Sequence, residues 1–398
     1  MRKVALTGAT GFIGGRLAEV LVERGAQVVC VVRRWGGASR LARLPVRMVG
    51  GDVRDPASLR AAFEGCDTVL HCAVDFRASG RAHERSSVGG TKNVLEAALG
   101  AGVSRVVHLS SAAVFGLSPR PDAQISEEAS VRRTGQAYSD GKIAAERVAL
   151  EFGRRHGLPI TILRPTVVYG PFGSYSRMPA SLARERRLVL IDGGEGVCNC
   201  LYVDNLVQAV LLAAVREEAV GQIFTISDGR PVTWREYLER HAWALGPDFA
   251  SLPAMSREEL RSEWRRLRRA ALRRLFTTTA GNPIRLLRDP AFKQGFYSVP
   301  GMRWASGAAE AALKRLPARA SARVRAAIAE AKGAGAPAPE RGDAPARHLS
   351  PGEVETLSVF EHVTFSVEKA RRLLGYAPSV DFTEGMTRTE AWIRWAYI

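Results

Sequence analysis

Three side chains in this chain have the types and spacing to move a proton on and off an alcohol oxygen. Tyr138 and Lys142 bound the segment Tyr138-Ser139-Asp140-Gly141-Lys142, whose pattern predicts a helix running to about Arg155. Residues four apart share one helical face. A phenol with an ordinary pKa of about 10 is a poor base near neutrality. A neighbouring ammonium stabilises the phenolate and brings that value down. Tyr138 is therefore expected to remove or donate a hydroxyl proton while another group takes or gives hydride. Alone the pair means little; its company is Leu109-Ser110-Ser111-Ala112-Ala113-Val114-Phe115-Gly116, directly after an apolar run that reads as a strand. A serine at the C-terminal end of a parallel strand faces the crevice where such sheets bind ligands. Ser111 is the expected hydrogen-bonding partner of the substrate oxygen, and Ser110 a turn-former.

The hydride carrier has its own signature. Thr7-Gly8-Ala9-Thr10-Gly11-Phe12-Ile13-Gly14 places a glycine at every third position between a predicted strand, Lys3–Thr7, and a predicted helix, Phe12–Arg24. Side chains at Gly8, Gly11 or Gly14 would block the tight turn and the approach of a pyrophosphate to backbone N–H groups. The helix N-terminus adds a partial positive charge. At the end of the second predicted strand, Gln27–Val32, an acidic residue would bind the ribose 2′-hydroxyl of NAD. Arg33 and Arg34 stand there instead, and guanidinium groups suit a 2′-phosphate. NADP is the favoured cofactor and NAD the alternative.

Positioning these groups requires strands ending side by side. Over the first 230 residues, apolar runs alternate with helical segments: after Gln27–Val32 come 46–50, 68–72, Arg105–Leu109 and 160–163. Strands that are apolar throughout and separated by helices indicate a parallel sheet covered on both faces. The expected fold class is α/β, a Rossmann-type doubly wound parallel sheet with a smaller C-terminal substrate lobe and a basic helical insertion. The expected division is a dinucleotide-binding domain over 1–170, a substrate-binding lobe over 171–250 and 351–398 with interleaved Rossmann elements, and the insertion over 251–350.

That insertion is announced by charge. The chain has 398 residues and a formal net charge of +17. Residues 251–350 hold 20 Lys or Arg and 8 Asp or Glu, so 20 − 8 = +12, and the other 298 residues hold the remaining +5. Within the block, 258–276 is arginine-dense, 305–331 is rich in Ala and Arg, and 332–347 reads as a Gly/Ala/Pro linker. Leu260, Trp264, Leu267, Ala271 and Leu275 recur at helical spacing. The stripe either packs on the substrate lobe with its charged face in water, or lies on an anionic membrane surface. Arg285-Leu286-Leu287, Phe296-Tyr297 and Met302-Arg303-Trp304 continue the mixture. No nucleic-acid-binding module accompanies the charge, so nucleic acid is not an expected partner.

Five cysteines, Cys30, Cys66, Cys72, Cys198 and Cys200, do not make a disulfide framework in so long a chain. Cys198-x-Cys200 lacks the second pair that a metal site needs, so no metal is expected. No apolar run has transmembrane length, and Val4 to Leu6 runs at once into the glycine turn rather than into a cleavage site. A cytoplasmic setting is the default expectation, with membrane association as the variant.

In combination and order these motifs resemble the extended short-chain dehydrogenases/reductases, the NAD(P)-dependent epimerase/dehydratase family. The likeness covers about 1–240 and resumes near the C-terminus. Further matching stretches are Gly51-Asp52-Val53-Arg54-Asp55, His71-Cys72-Ala73, Leu163-Arg164-Pro165-Thr166-Val167-Val168-Tyr169-Gly170-Pro171, Tyr202-Val203-Asp204-Asn205-Leu206, and Lys369-Ala370-Arg371-Arg372-Leu373-Leu374-Gly375-Tyr376-Ala377-Pro378. The resemblance implies a catalytic set of Ser111, Tyr138 and Lys142. It implies cofactor contacts at Gly8, Gly11, Phe12, Ile13, Gly14, Asp52, Val53, Cys72, Ala73, Pro165, Val167 and Val168, with Lys142 also on the nicotinamide ribose. A small-molecule substrate held by the C-terminal lobe and a homodimer built on paired helices are implied too.

Departures narrow the reaction. Family dehydratases carry acidic residues where Ala112 and Ala113 stand here, so water elimination lacks its acid–base groups. Sugar 4-epimerases and simple ketone/alcohol dehydrogenases need only the Ser–Tyr–Lys set. Nucleotide-sugar members carry a diphosphate-clamping arginine where this chain has Cys198. Tyr202-Val203-Asp204-Asn205-Leu206 also resembles the 3β-hydroxysteroid dehydrogenase branch. Ser87-Val88-Gly89-Gly90-Thr91 replaces a usual Asn-Val-x-Gly-Thr. The leading expectation is an oxidoreductase or epimerase working on a secondary alcohol or ketone of a sugar or nucleotide-sugar-like substrate. The alternatives are a sterol-type dehydrogenase and a non-catalytic dinucleotide-binding scaffold.

Overall fold

The computed structural model describes residues 1–74, 85–116, 123–277 and 349–397. The chain divides into two compact units, one of 1–184, 195–251 and 358–398 and one of 185–194 and 252–357.

The first unit is built on seven strands: β1 (Lys3–Thr7), β2 (Gln27–Val32), β3 (Arg47–Gly50), β4 (Thr68–His71), β5 (Arg105–Leu109), β7 (Ile160–Pro165) and β12 (Ile223–Ile226). They lie in the order β3-β2-β1-β4-β5-β7-β12. Every neighbouring pair is parallel. The order reverses between β1 and β4, which opens the crevice of a doubly wound sheet. The expected apolar runs become these strands with ends moved by a residue or two. β7 continues through Arg164 and Pro165 because β12, a strand the sequence reading did not mark, pairs along it.

Helices α1 (Phe12–Glu23), α2 (Pro56–Phe63), α3 (Gly90–Gly100), α4 (Ala137–His156) and α6 (Val203–Val215) flank the sheet. In α1 the buried residues are Gly14, Gly15, Leu17, Ala18 and Leu21, one stripe at helical spacing. One core packs Leu59 and Phe63 of α2, Val94 and Leu95 of α3, and Ala149 and Phe152 of α4 against Ala5, Val29, Val69 and Val106 of the sheet. α4 ends where Gly157 takes a left-handed conformation, φ 68°, the usual glycine stop.

Smaller pieces complete this unit. Strands β6 (Ala123–Ile125) and β15 (Val363–Phe365) pair, as do β8 (Val167–Tyr169) with β11 (Cys200–Tyr202), and β10 (Val197–Cys198) with β13 (Val232–Thr233). Helices α5 (Ser174–Arg184), α7 (Trp234–Trp243), α10 (Glu368–Leu374) and α11 (Phe382–Tyr397) supply a helical C-terminal part. Asn205 joins it to the sheet: its amide donates to Asp228 at 2.7 Å and to the Val380 carbonyl at 2.7 Å. Its carbonyl accepts from the backbone of Ser379 and Val380 at 3.1 Å each.

In the second unit, β9 (Leu190–Ile191) pairs with β14 (Ala254–Met255), and helices α8 (Arg257–Thr277) and α9 (Pro351–Thr356) follow. Asp192 pairs with Arg257 at 2.6 Å, Glu353 with Arg187 at 3.0 Å, and the Trp264 indole donates to the Leu349 carbonyl at 2.8 Å. Along α8, Leu260 is buried while Arg261, Arg265, Arg266 and Arg269 are exposed. The side chains of Ala271 and Leu275, the Arg285, Phe296 and Met302 clusters, and the 332–347 stretch lie outside the described residues.

Candidate active site

The glycine turn after β1 has the shape of a cradle. Gly8 adopts φ 75°, and its carbonyl accepts the Gly11 N–H at 2.9 Å. A Cβ at Gly8 would stand 2.7 Å from the Cys72 backbone, and one at Gly14 would stand 2.3 Å from the Gly8 oxygen. Both positions admit only glycine, and the backbone N–H groups at the start of α1 stay open to an anion. Phe12 and Ile13 follow as the first residues of α1. These residues fit a dinucleotide's pyrophosphate.

The other cofactor candidates line up along successive strand ends. Arg33 and Arg34 follow β2 and are exposed. Asp52 and Val53 follow β3. Arg54 grips the Asp52 carboxylate at 2.6 Å and, with Arg33 adding its charge, holds it below the usual carboxylate range. The Val53 carbonyl accepts from Asn93 at 2.9 Å. Cys72 and Ala73 follow β4, with the Cys72 N–H on the Thr7 carbonyl at 3.2 Å. Pro165 ends β7, and Val167 and Val168 are buried in β8.

The proposed catalytic trio converges on the end of β5. Ser111 Oγ accepts the Ala113 N–H at 3.1 Å, capping the turn Ala112–Phe115, and it lies near enough to the Tyr138 phenol to lower its pKa. The Ser111 hydroxyl keeps its proton to donate to an oxygen beside it. Ser110 faces inward and is buried. Lys142, one helical turn on, donates to the Leu109 carbonyl at 2.6 Å and is buried.

The electrostatics differ from the expectation in one respect. Burial pushes the Tyr138 phenol above its ordinary value, and Ser111 rather than Lys142 works against that shift. The Lys142 amine is directed to a carbonyl, and burial lowers its own pKa to about 8 against the opposing pull of Cys72 and Glu146. In both groups desolvation is the largest cause of the shift.

His71 and His108 lie paired in register beneath the trio with rings 5.0 Å apart. His71 is held by Thr7 at 2.8 Å and Thr91 at 3.1 Å. Burial lowers its pKa to about 3 and that of His108 as well, so both are neutral. Cys198 and Cys200 are buried, and burial raises both thiols. Among the described residues no three His, Cys, Asp or Glu side chains gather as a metal site. The sequence reading missed Glu146. Its spacing of four from Lys142 on α4 was the available signal.

The model of the NAD dependent epimerase/dehydratase family matches residues 4–227. The chain is similar to the 4-hydroxy-2-methyl-3-oxo-4-farnesyl-3,4-dihydroquinoline-1-oxide ketoreductase of Stigmatella aurantiaca, 30% identical over 58% of this chain and 70% of that one. It is also similar to the 2-alkyl-3-oxoalkanoate reductase of Stenotrophomonas maltophilia, 32% identical over 61% of this chain and 76% of that one. Among solved structures it resembles the UDP-glucose 4-epimerase of Thermotoga maritima, with a TM-score of 0.66 and 18% identity over 100% of both chains. At that identity the likeness is one of fold. The family match runs from β1 to the end of β12, the whole parallel sheet, and the chain belongs to the NAD dependent epimerase/dehydratase family.

Proposed function

We propose that the chain is an NADP(H)-preferring oxidoreductase that interconverts a ketone and a secondary alcohol on a largely apolar substrate. The observation carrying this reading is the convergence of Ser111, Tyr138 and Lys142 on the end of β5, with Lys142 donating to the Leu109 carbonyl at 2.6 Å. Bound nicotinamide would supply or accept the hydride. Ser111 orients the substrate oxygen, Tyr138 holds the proton that this oxygen gains or loses, and Lys142 supplies positive charge beside them. Gly8, Gly11, Phe12, Ile13 and Gly14 hold the pyrophosphate, Asp52 and Val53 the adenine side, and Cys72, Ala73, Pro165, Val167 and Val168 the nicotinamide side.

Cys198, wholly buried, stands where a nucleotide-sugar enzyme would place its clamping arginine, and the two reductases named above act on ketones bearing farnesyl or alkyl groups. Both favour an apolar substrate over a sugar nucleotide. Arg33 and Arg34 favour NADP over NAD. A homodimer through α3 and α4 is supported by Leu99 and Leu150, large apolar residues exposed at 39% and 38%. The exposed arginines of α8 support contact with an anionic membrane. Co-sedimentation with phosphatidylglycerol vesicles, lost on deleting 256–348, is the expected result there; equal sedimentation would refute it.

The functional test measures cofactor binding by NADPH and NADH fluorescence, then turnover over apolar ketones and sugar nucleotides. Preferred turnover of apolar ketones with NADPH is expected. Turnover of sugar nucleotides alone would return the substrate to the sugar class. Tighter NADH binding would overturn the role given to Arg33.

A further inference from the structure

Arg164 and Glu146 form a buried bidentate ion pair, Nε to Oε1 at 2.9 Å and Nη2 to Oε2 at 2.7 Å, with side chains 4% and 5% exposed. The pair touches every piece that carries the trio. Glu146 lies one turn beyond Lys142 on α4. Arg164 lies on β7 just before Pro165. The Arg164 guanidinium stands 4.8 Å from the ring centroid of Phe115, at the end of the Ser111 turn. Its Nη1 has no hydrogen-bond partner among the described residues, an expense that a purely structural residue of similar shape would avoid.

The groups facing Lys142 explain why a carboxylate is needed there. Cys72 and His71 face it from β4 and its end, His108 from β5, and Glu146 from α4. Burial keeps the Cys72 thiol protonated, pushing it up to about 12, and keeps both histidines neutral. Glu146 is the carboxyl group of this set, and Arg164 gives it two charge-assisted hydrogen bonds.

We propose that Glu146, gripped by Arg164, is a positioning residue for the hydride-transfer site: its carboxylate sets the field at the Lys142 amine, and its partner fixes α4 against β7 and the Ser111 turn. The proposal rests on the function argued above, because it acts through Lys142.

The chain has seven lysines, few enough for Lys142 to be followed by NMR of protein carrying 13Cε-lysine, assigned with Lys142→Arg. The wild-type amine should titrate near pH 8. Glu146→Gln leaves the Arg164 cation without its carboxylate, and the midpoint should fall by about one unit. The upper limb of the kcat/KM profile for ketone reduction should fall with it, with KM nearly unchanged. Glu146→Met/Arg164→Met removes both charges and leaves neither buried alone; it should fold and shift the midpoint the same way by less. Folded variants with an unmoved Lys142 midpoint would overturn the proposal. Because that titration needs no substrate, a wild-type protein that turns over no ketone would refute the function without deciding the positioning role.

Discussion

At the residue scale, the proposed chemistry depends on which protons Tyr138 and Lys142 hold near neutrality. Tyr138 keeps its proton, since burial raises its pKa, and Lys142 keeps its charge only below about 8. Ketone reduction uses both forms, so kcat/KM should be level near pH 7 and fall as pH rises through about 8. A profile rising through that range would contradict the assignment. Ser111→Ala removes a donor to the substrate oxygen and should lower kcat about a hundredfold with cofactor affinity unchanged. The placement of these three was legible because their spacing is local: one turn of helix for Tyr138 and Lys142, one strand end for Ser111. Glu146 was marked only by its spacing of four from Lys142, and its pairing with Arg164 was not legible, because it depends on how α4 lies against β7.

At the element scale, the close approach of β1, α1 and β4 shapes the proposed cofactor site. Gly14→Ala would place a methyl group 2.3 Å from the Gly8 oxygen. The variant should lose most NADPH binding, with loss read by fluorescence titration; unchanged affinity would mean the turn can shift at no cost. Asn205 is the element-scale tie to the C-terminal part. Asn205→Ala leaves the buried Val380 N–H and C=O without their side-chain partner, at about 1–3 kcal/mol for each buried group, so the urea midpoint should drop. Strands were readable from continuous apolar runs, and the glycine turn from its spacing. The Asn205 tie was not, because its partners lie 23 to 175 residues away. Strand β12 also escaped notice, as a four-residue edge strand carries too short a pattern to stand out from its flanks.

At the scale of the whole molecule, a +17 chain is not uniformly built for an anionic partner. Most of the excess lies in 251–350, and the sheet that carries the site is only mildly basic. The shares of charge were legible by counting; what 278–348 forms lies outside the described residues. The paired faces of α3 and α4 should hold two copies together. Light scattering should show a dimer that Leu150→Arg converts to a monomer, and a monomeric wild-type protein would remove that assembly. The claim on which everything else rests is that Tyr138 moves the proton in an NADPH-dependent reduction. It is tested most directly by single-turnover NADPH oxidation with a reactive apolar ketone, comparing wild type with Tyr138→Phe. About a thousandfold loss of rate with unchanged NADPH affinity is expected; a Phe variant that oxidises NADPH at the wild-type rate would remove Tyr138 from the chemistry.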